Sequence, residues 1–253
     1  MPQRKALVTG ASEGIGRALA SRLALRGFAV TAVARNLERL DGLVASLGGA
    51  PHRALRADLA TAAGIRRACE DVLEGGYDLL VNDAGAGATG PLREMDHEDV
   101  EALRRVNADA VLALSHAFLS RARPGSALVN VASVVGLVPR PGMAVYSAAK
   151  SFVASLSQAL WHEERERDVY VMALCPGSTD TAFHARAGKA KAPLRLVMQT
   201  AEEVADEALR ALDARREPIV VTGLLNRALA LGLRGVSRRR AVTLAAHLGD
   251  RTS

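Results

Sequence analysis

Tyr146 and Lys150 stand four residues apart in Val145-Tyr146-Ser147-Ala148-Ala149-Lys150-Ser151, a stretch rich in helix formers. That spacing puts both side chains on one helix face. An unperturbed tyrosine titrates near pKa ~10 and transfers protons sluggishly at neutral pH. An ammonium beside it favours the phenolate and lowers that value. The pair is therefore a candidate general acid/base for an alcohol or carbonyl oxygen. Lysine usage sharpens the point, because the 33 basic residues include only four lysines: Lys5, Lys150, Lys189 and Lys191. A chain that prefers arginine so strongly has kept the compact ammonium here, where a guanidinium is bulkier. Ser133 ends the apolar run 127–132, thirteen residues before Tyr146. Carboxyl ends of parallel strands face the ligand crevice, so its hydroxyl can bind the same substrate oxygen. Asn107, in Arg105-Val106-Asn107-Ala108, is a poor helix former among good ones.

These groups need a scaffold, and the hydropathy pattern describes one. Short apolar runs at 6–9, 28–34, 52–57, 79–82, 127–132, 169–174 and 218–221 read as strands. Amphipathic stretches at 15–26, 36–47, 62–73, 97–120, 144–164 and 201–215 alternate with them. Strands apolar on both faces, each followed by a helix, predict a seven-stranded parallel sheet covered on both sides. The expected class is α/β, a doubly wound three-layer Rossmann fold. The first strand runs through Leu7-Val8-Thr9-Gly10-Ala11-Ser12-Glu13-Gly14-Ile15-Gly16 into a helical pattern. Glycines at 10, 14 and 16 permit a sharp turn, close approach to a pyrophosphate, and helix–strand packing, with free helix N–H groups facing the phosphates. The strand–turn–helix context raises a weak glycine triplet to a nucleotide-binding motif.

Arg35 ends the second run, where an adenosine ribose should lie. A cofactor lacking a 2′-phosphate wants a carboxylate there, and Ala34-Arg35-Asn36 has none. A guanidinium matches phosphate geometry, so NADP(H) is preferred and NAD(H) stays open. Glu13 conflicts with that preference unless it pairs with Arg35.

The order T-G-x-x-x-G-x-G, then Ser133, then Tyr146 and Lys150, resembles the short-chain dehydrogenase/reductase family, over residues 4 to about 223. The resemblance implies a nicotinamide dinucleotide held by Thr9, Gly10, Ser12, Glu13, Gly14, Ile15 and Gly16. Asp58 and Leu59 follow the third strand, where the family holds adenine. Asn82, Ala84 and Gly85 match the family's N-N-A-G, with Asp83 replacing the second asparagine. Pro176, Gly177, Thr179 and Thr181 match its P-G-x-x-x-T and imply contacts to the carboxamide and pyrophosphate. In the implied reduction, hydride goes to a carbonyl carbon while Tyr146 protonates the oxygen. Ser133 orients that oxygen, and Lys150 binds the ribose and lowers the tyrosine pKa. Asn107 holds a water linking the lysine to a proton relay. A loop at 182–198, with Phe183 and His184, should close over substrate, and Leu137, Val138 and Met143 should line the other side. That lining suggests a hydrophobic carbonyl or alcohol substrate. A homodimer through the Asn107 and Tyr146 helices, or a tetramer, is also implied. Two other classes stay open: a nucleotide sensor without catalysis, and an epimerase or dehydratase. The first is opposed by the intact Asn107, Ser133, Tyr146 and Lys150, the second by the glycine spacing.

Charge divides the chain unevenly. The formal net charge is +6, yet residues 224–253 hold six arginines (227, 234, 238, 239, 240, 251) against Asp250 alone. The expected domain is therefore 1–223, nearly neutral, with 224–253 a basic amphipathic extension packed on it. Arg227, Arg234 and Arg238 should share its solvated face, opposite Leu225, Leu229, Gly232 and Val236. The extension should cover the cleft or a dimer contact; peripheral contact with anionic membrane is the weaker alternative. Nucleic acid is disfavoured, since aromatics make up 3% and no recognition motif appears. Two distant cysteines, Cys69 and Cys175, argue against a disulfide framework or a thiolate metal site. With no apolar leader or membrane span in view, the default compartment is a reducing cytoplasm, and no metal is expected.

Overall fold

The computed structural model describes residues 3–181, 183 and 198–250. Seven strands alternate with helices: β1 (Lys5–Thr9), α1 (Gly14–Leu25), β2 (Ala29–Ala34), α2 (Leu37–Ser46), β3 (Arg53–Arg56), α3 (Ala62–Gly75) and β4 (Leu79–Asn82). The second half continues with α4 (His97–Arg104), α5 (Ala110–Leu119), β5 (Ala127–Val131), α6 (Ala144–Glu163) and β6 (Tyr170–Cys175). It closes with α7 (Ala201–Ala214), β7 (Ile219–Val221), α8 (Leu224–Arg234) and α9 (Arg238–Asp250). All neighbouring strands run parallel, in the order β3-β2-β1-β4-β5-β6-β7. This is the doubly wound sheet that the alternation predicted.

Each strand is apolar on both faces because both faces are covered. Ala6 and Val8 point into one layer with Leu19 and Leu23 of α1, Leu43 of α2 and Val204 of α7. Leu7, between them, points into the other, with Val72 of α3 and Leu114 and Phe118 of α5. Side-chain caps mark the helix starts: Asn36 accepts from Arg39 N at 2.9 Å, and Thr61 accepts from Gly64 N at 3.0 Å. Thr200 and Glu203 form a reciprocal capping box at α7.

The helix expected over 97–120 is not continuous. One π-helical turn at Arg105–Asp109 separates α4 from α5. Asn107 explains it: its Nδ2 donates to Leu103 O at 2.9 Å, one turn back, satisfying a carbonyl that the widened turn frees. The extension at 224–253 is two helices rather than one, parted around Gly235. The chain leaves β1 toward β2 and leaves β4 toward β5, on opposite sides, so a crevice opens at their carboxyl ends.

Candidate active site

A cavity of about 790 Å³ lies at that crevice, walled by the segments that follow β1 to β6. Its floor begins at the glycine-rich turn. Gly10 and Gly14 have φ of +72° and +56°, which disfavours any residue with a Cβ. A Cβ on Gly16 would sit 2.6 Å from both Gly10 O and Asp83 Oδ2, and one on Gly14 would meet Thr181 Cγ2 at 3.2 Å. The turn is thus a cradle only glycine can line. The N–H groups at the start of α1, whose first turn holds no acidic residue, border it. This arrangement fits a dinucleotide diphosphate. Ser12, Glu13 and Ile15 complete this wall.

Thr9 and Asn82 stand behind the wall. The Thr9 hydroxyl accepts from Asp83 N and Ala84 N, each at 3.0 Å, tying the turn after β4 to β1. Asn82 Nδ2 donates to Asn130 Oδ1 at 2.9 Å, and Asn130 Nδ2 to Ser157 Oγ at 3.0 Å. This buried polar chain across β4, β5 and α6 was missed at the sequence level; Asn130 inside an apolar strand was its only signal. At the adenosine end, Arg35, Asp58 and Leu59 line the cavity with Arg39. The Glu13–Arg35 pair that would have resolved their conflict is not formed. The Glu13 carboxylate takes Arg39 Nη1 at 2.9 Å, because the first turn of α2 brings Arg39 over the α1 N-terminus. Arg35 makes no ion pair among the described residues, so its guanidinium faces the cavity uncommitted.

At the other end Ser133, Tyr146 and Lys150 converge. The Ser133 hydroxyl donates to Pro176 O at 3.5 Å and accepts from Val135 N at 3.4 Å, and Lys150 Nζ lies 5.7 Å from the tyrosine ring centre. Lys150 is only 3% exposed, and its ammonium donates to Val131 O at 2.7 Å. Burial pulls its pKa below the ordinary lysine value, while the Asp83 carboxylate opposes this. The expected lowering of the tyrosine does not hold for the protein's own groups. Burial pushes the Tyr146 phenol up, the Ser133 hydroxyl counters weakly, and the Asp83 charge adds to the rise. Asp83 is itself driven well above the carboxylate range by burial, against Lys150 and the Gly16 N–H.

Asn107 is fully buried on the π-turn, with Nδ2 held by Ala86 O at 2.8 Å and by Leu103 O. Among the described residues its Oδ1 has no partner. A Cβ on Gly85 would sit 2.9 Å from that oxygen and 3.6 Å from Lys150 Nζ, so both polar atoms border the space glycine leaves open.

A family model described as short chain dehydrogenase matches residues 4–192. The chain belongs to the short-chain dehydrogenase/reductase family. A 3beta-hydroxysteroid dehydrogenase of Mediterraneibacter gnavus is 33% identical over 186 residues, covering 71% of this chain and 67% of the relative. The solved short-chain dehydrogenase from Sphingobium yanoikuyae in complex with NADPH superposes with a TM-score of 0.82 and 36% identity, over 91% and 93% of the two chains. A short-chain dehydrogenase/reductase from Burkholderia phymatum in complex with NAD gives 0.80 and 27%, over 91% and 94%. This family member is therefore a nicotinamide-dependent oxidoreductase acting on alcohol or carbonyl groups.

In this short-chain dehydrogenase/reductase the substrate side is walled by Met143, Phe183, Val134, Val135, Arg140 and Asp99. The Phe183 ring meets the Tyr146 ring at 5.3 Å between centres. Leu137 does not reach the cavity. It follows the short turn Val134–Gly136 and packs, partly buried, against the small apolar cluster that includes Val153 and Cys175. The rest of the expected loop, 182 and 184–197 with His184, lies outside the described residues.

Pro176, Gly177, Thr179 and Thr181 line the wall after β6, and this segment is clasped from below. Gln199 N donates to Ser178 O at 3.1 Å and Asp180 N to Gln199 O at 2.9 Å. Gln199 also donates to Glu207 of α7, which accepts from Gly223 N and pairs with Arg227 of α8. Asn226 packs over Gly177 and is 8% exposed. The extension thus turns a polar asparagine inward, while Leu225 and Leu229 are 59% and 48% exposed. Arg227, exposed as expected, also pairs with Glu207 and donates to Val221 O at 2.7 Å.

Proposed function

We propose that this protein catalyses reversible reduction of a hydrophobic ketone or aldehyde, with NADP(H) preferred over NAD(H). The observation that carries the reading is Ser133, Tyr146 and Lys150 lining one cavity together with the glycine cradle. When bound, the dinucleotide supplies or accepts the hydride. Tyr146 donates a proton to the nascent alkoxide, and Ser133 holds and polarises the same oxygen. Lys150 binds the nicotinamide ribose. Asn107 Oδ1, with no partner among the described residues, faces the space where a water would connect it to Lys150 Nζ. Met143 and Phe183 favour an apolar substrate, in keeping with the steroid named for one relative. Arg35 favours the 2′-phosphate. The enzyme works in the cytoplasm as a homodimer through α5 and α6, where Leu112 and Phe152 stand exposed. Among the described residues no helix is long and apolar enough to cross a membrane.

The test is a screen of NADPH and NADH oxidation over steroids, other ketones, ketoacyl thioesters and sugars. Tyr146→Phe is expected to lose about 10²–10⁴-fold in turnover with dinucleotide affinity kept. A wild-type rate in that variant sinks the mechanism. Arg35→Ala should weaken NADPH about tenfold or more and spare NADH. Equal effects on both dinucleotides remove the NADP preference. Tight binding with no turnover on any substrate favours a sensor.

A further inference from the structure

Asp83 has no part in the proposed hydride or proton transfer, yet it stands at the centre of the site. Its backbone N–H is held by the Thr9 hydroxyl at 3.0 Å. Its side chain is wedged into the glycine turn: Oδ2 lies 3.0 Å from a Cβ built on Gly10 and 2.6 Å from one built on Gly16. The carboxylate lies against the first turn of α1 and lines the same cavity as Gly14, Tyr146 and Lys150. Position 83 is also where the chain departs from the family's N-N-A-G, in which an uncharged amide stands.

The charge matters more than the shape. A helix N-terminus attracts one anion well, and here the protein's own carboxylate stands against the cradle that a diphosphate would use. Two anions at one helix end repel each other, and the low-dielectric surroundings strengthen the repulsion. The groups that face Asp83 are few. From α6 come Lys150 and Tyr146, and from the α1 turn the Gly16 backbone. Glu13, at the same turn, is directed to Arg39. Cys175 of β6 acts on Lys150 and Tyr146, and its thiol is pushed up to about 12 by burial, so it carries no charge near neutrality. Lys150 Nζ spends a hydrogen bond on Val131 O, which leaves the Asp83 charge incompletely answered.

We propose that Asp83 is a charge gate on dinucleotide binding: its protonated form admits the diphosphate to the glycine cradle and its ionised form opposes it. Burial of the carboxyl group agrees with this, since it moves the ionisation toward neutral pH. Binding then takes up a proton, and affinity falls as pH rises. The proposal rests on the nicotinamide-dinucleotide reading of the cavity.

The experiment measures Kd for NADPH and NADH from pH 5.5 to 8.5 on wild type and Asp83→Asn, by fluorescence titration. Isothermal titration in two buffers of different ionisation heat counts the protons. The comparison at each pH cancels titration of the ligand's own phosphate. The expected result is equal affinity at pH 5.5 and about tenfold tighter binding by the variant at pH 8.5. Proton uptake should be seen only in wild type. If Asp83→Asn melts early, Asp83→Ser supplies a second uncharged side chain and is read the same way. Parallel profiles, or equal proton uptake, overturn the gate while leaving the cofactor reading intact. Failure of every variant to bind either dinucleotide overturns that reading, and the gate with it.

Discussion

Around β1 and β4 the cleft wall brings backbone against backbone at Gly10 and Gly16, whereas around β6 and β7 side chains from neighbouring segments press on it. On the first flank, Gly16 sits where any Cβ would strike Gly10 O at 2.6 Å, and the Thr9 hydroxyl bridges two main-chain N–H groups. On the second, the loop after β6 is clasped by Gln199, Glu207, Asn226 and Arg227, drawn from three elements. Backbone crowding is unforgiving because the chain has no rotamers with which to move aside. A side-chain clasp can repack. The same mutation, glycine to alanine, should therefore have different consequences on the two flanks.

The largest effect is expected at Gly16→Ala. The turn must shift, so dinucleotide affinity should fall by more than about 100-fold, with stability lower by about 2–3 kcal/mol. Fluorescence titration and urea denaturation check both numbers; a near-native Kd would break the contrast. Gly177→Ala is the matching test on the other flank. Its Cβ would come within 2.2 Å of Asn226 Nδ2, a side chain on a helix whose neighbours are largely exposed. The expected loss is about 1 kcal/mol, with affinity down only a few-fold. Asn226→Ala should relieve most of that loss, giving a coupling of about 0.5–1 kcal/mol in a double-mutant cycle. Strict additivity would show that Asn226 does not press on the loop.

The smallest effect concerns pH and stability. Asp83 has a raised pKa in the folded protein, so the fold binds a proton there that the unfolded chain has already released. Its stabilising contribution is present below the ordinary carboxylate range and is lost as pH rises through the raised value. Lys150 is shifted the other way, so its contribution belongs to the alkaline side. The melting temperature of Asp83→Asn should therefore gain a few degrees on wild type between pH 5 and 8. A constant offset would place the charge elsewhere.

How much of this was legible depends on whether a feature is local. The 79–82 run is β4 to the residue, because an apolar run between polar turns can hardly be placed otherwise. The Gly10–Gly16 spacing and the Tyr146–Lys150 pair were legible for the same reason, since one turn and one helix face contain them. The break at Arg105–Asp109 was not, because its cause is a buried amide reaching Ala86 O on another segment. Glu13 met Arg39 rather than Arg35 because helix α2 carries one arginine across the α1 N-terminus and strand β2 directs the other at the cavity. Leu137 was read as cavity lining from its neighbours, yet after one tight turn it packs against the small apolar cluster that includes Val153 and Cys175.

The C-terminal extension shows the limit most clearly. Its +5 charge and two-sided pattern are visible in the residues, but periodicity cannot say which stripe meets the body. Asn226 is the contact because it fits over the glycine at 177, and that glycine is distant in sequence. The sequence by itself determined the layered α/β fold, the glycine turn and the order of the candidate catalytic groups, since periodicity and short-range spacing encode them. Only the tertiary structure decided which carboxylate faces which cation. It alone showed that Asp83 lies against the glycine turn and that burial sets the protonation of the Tyr146 site. Charges and dielectric act through space, and strands adjacent in the sheet, such as β1 and β4, are far apart along the chain.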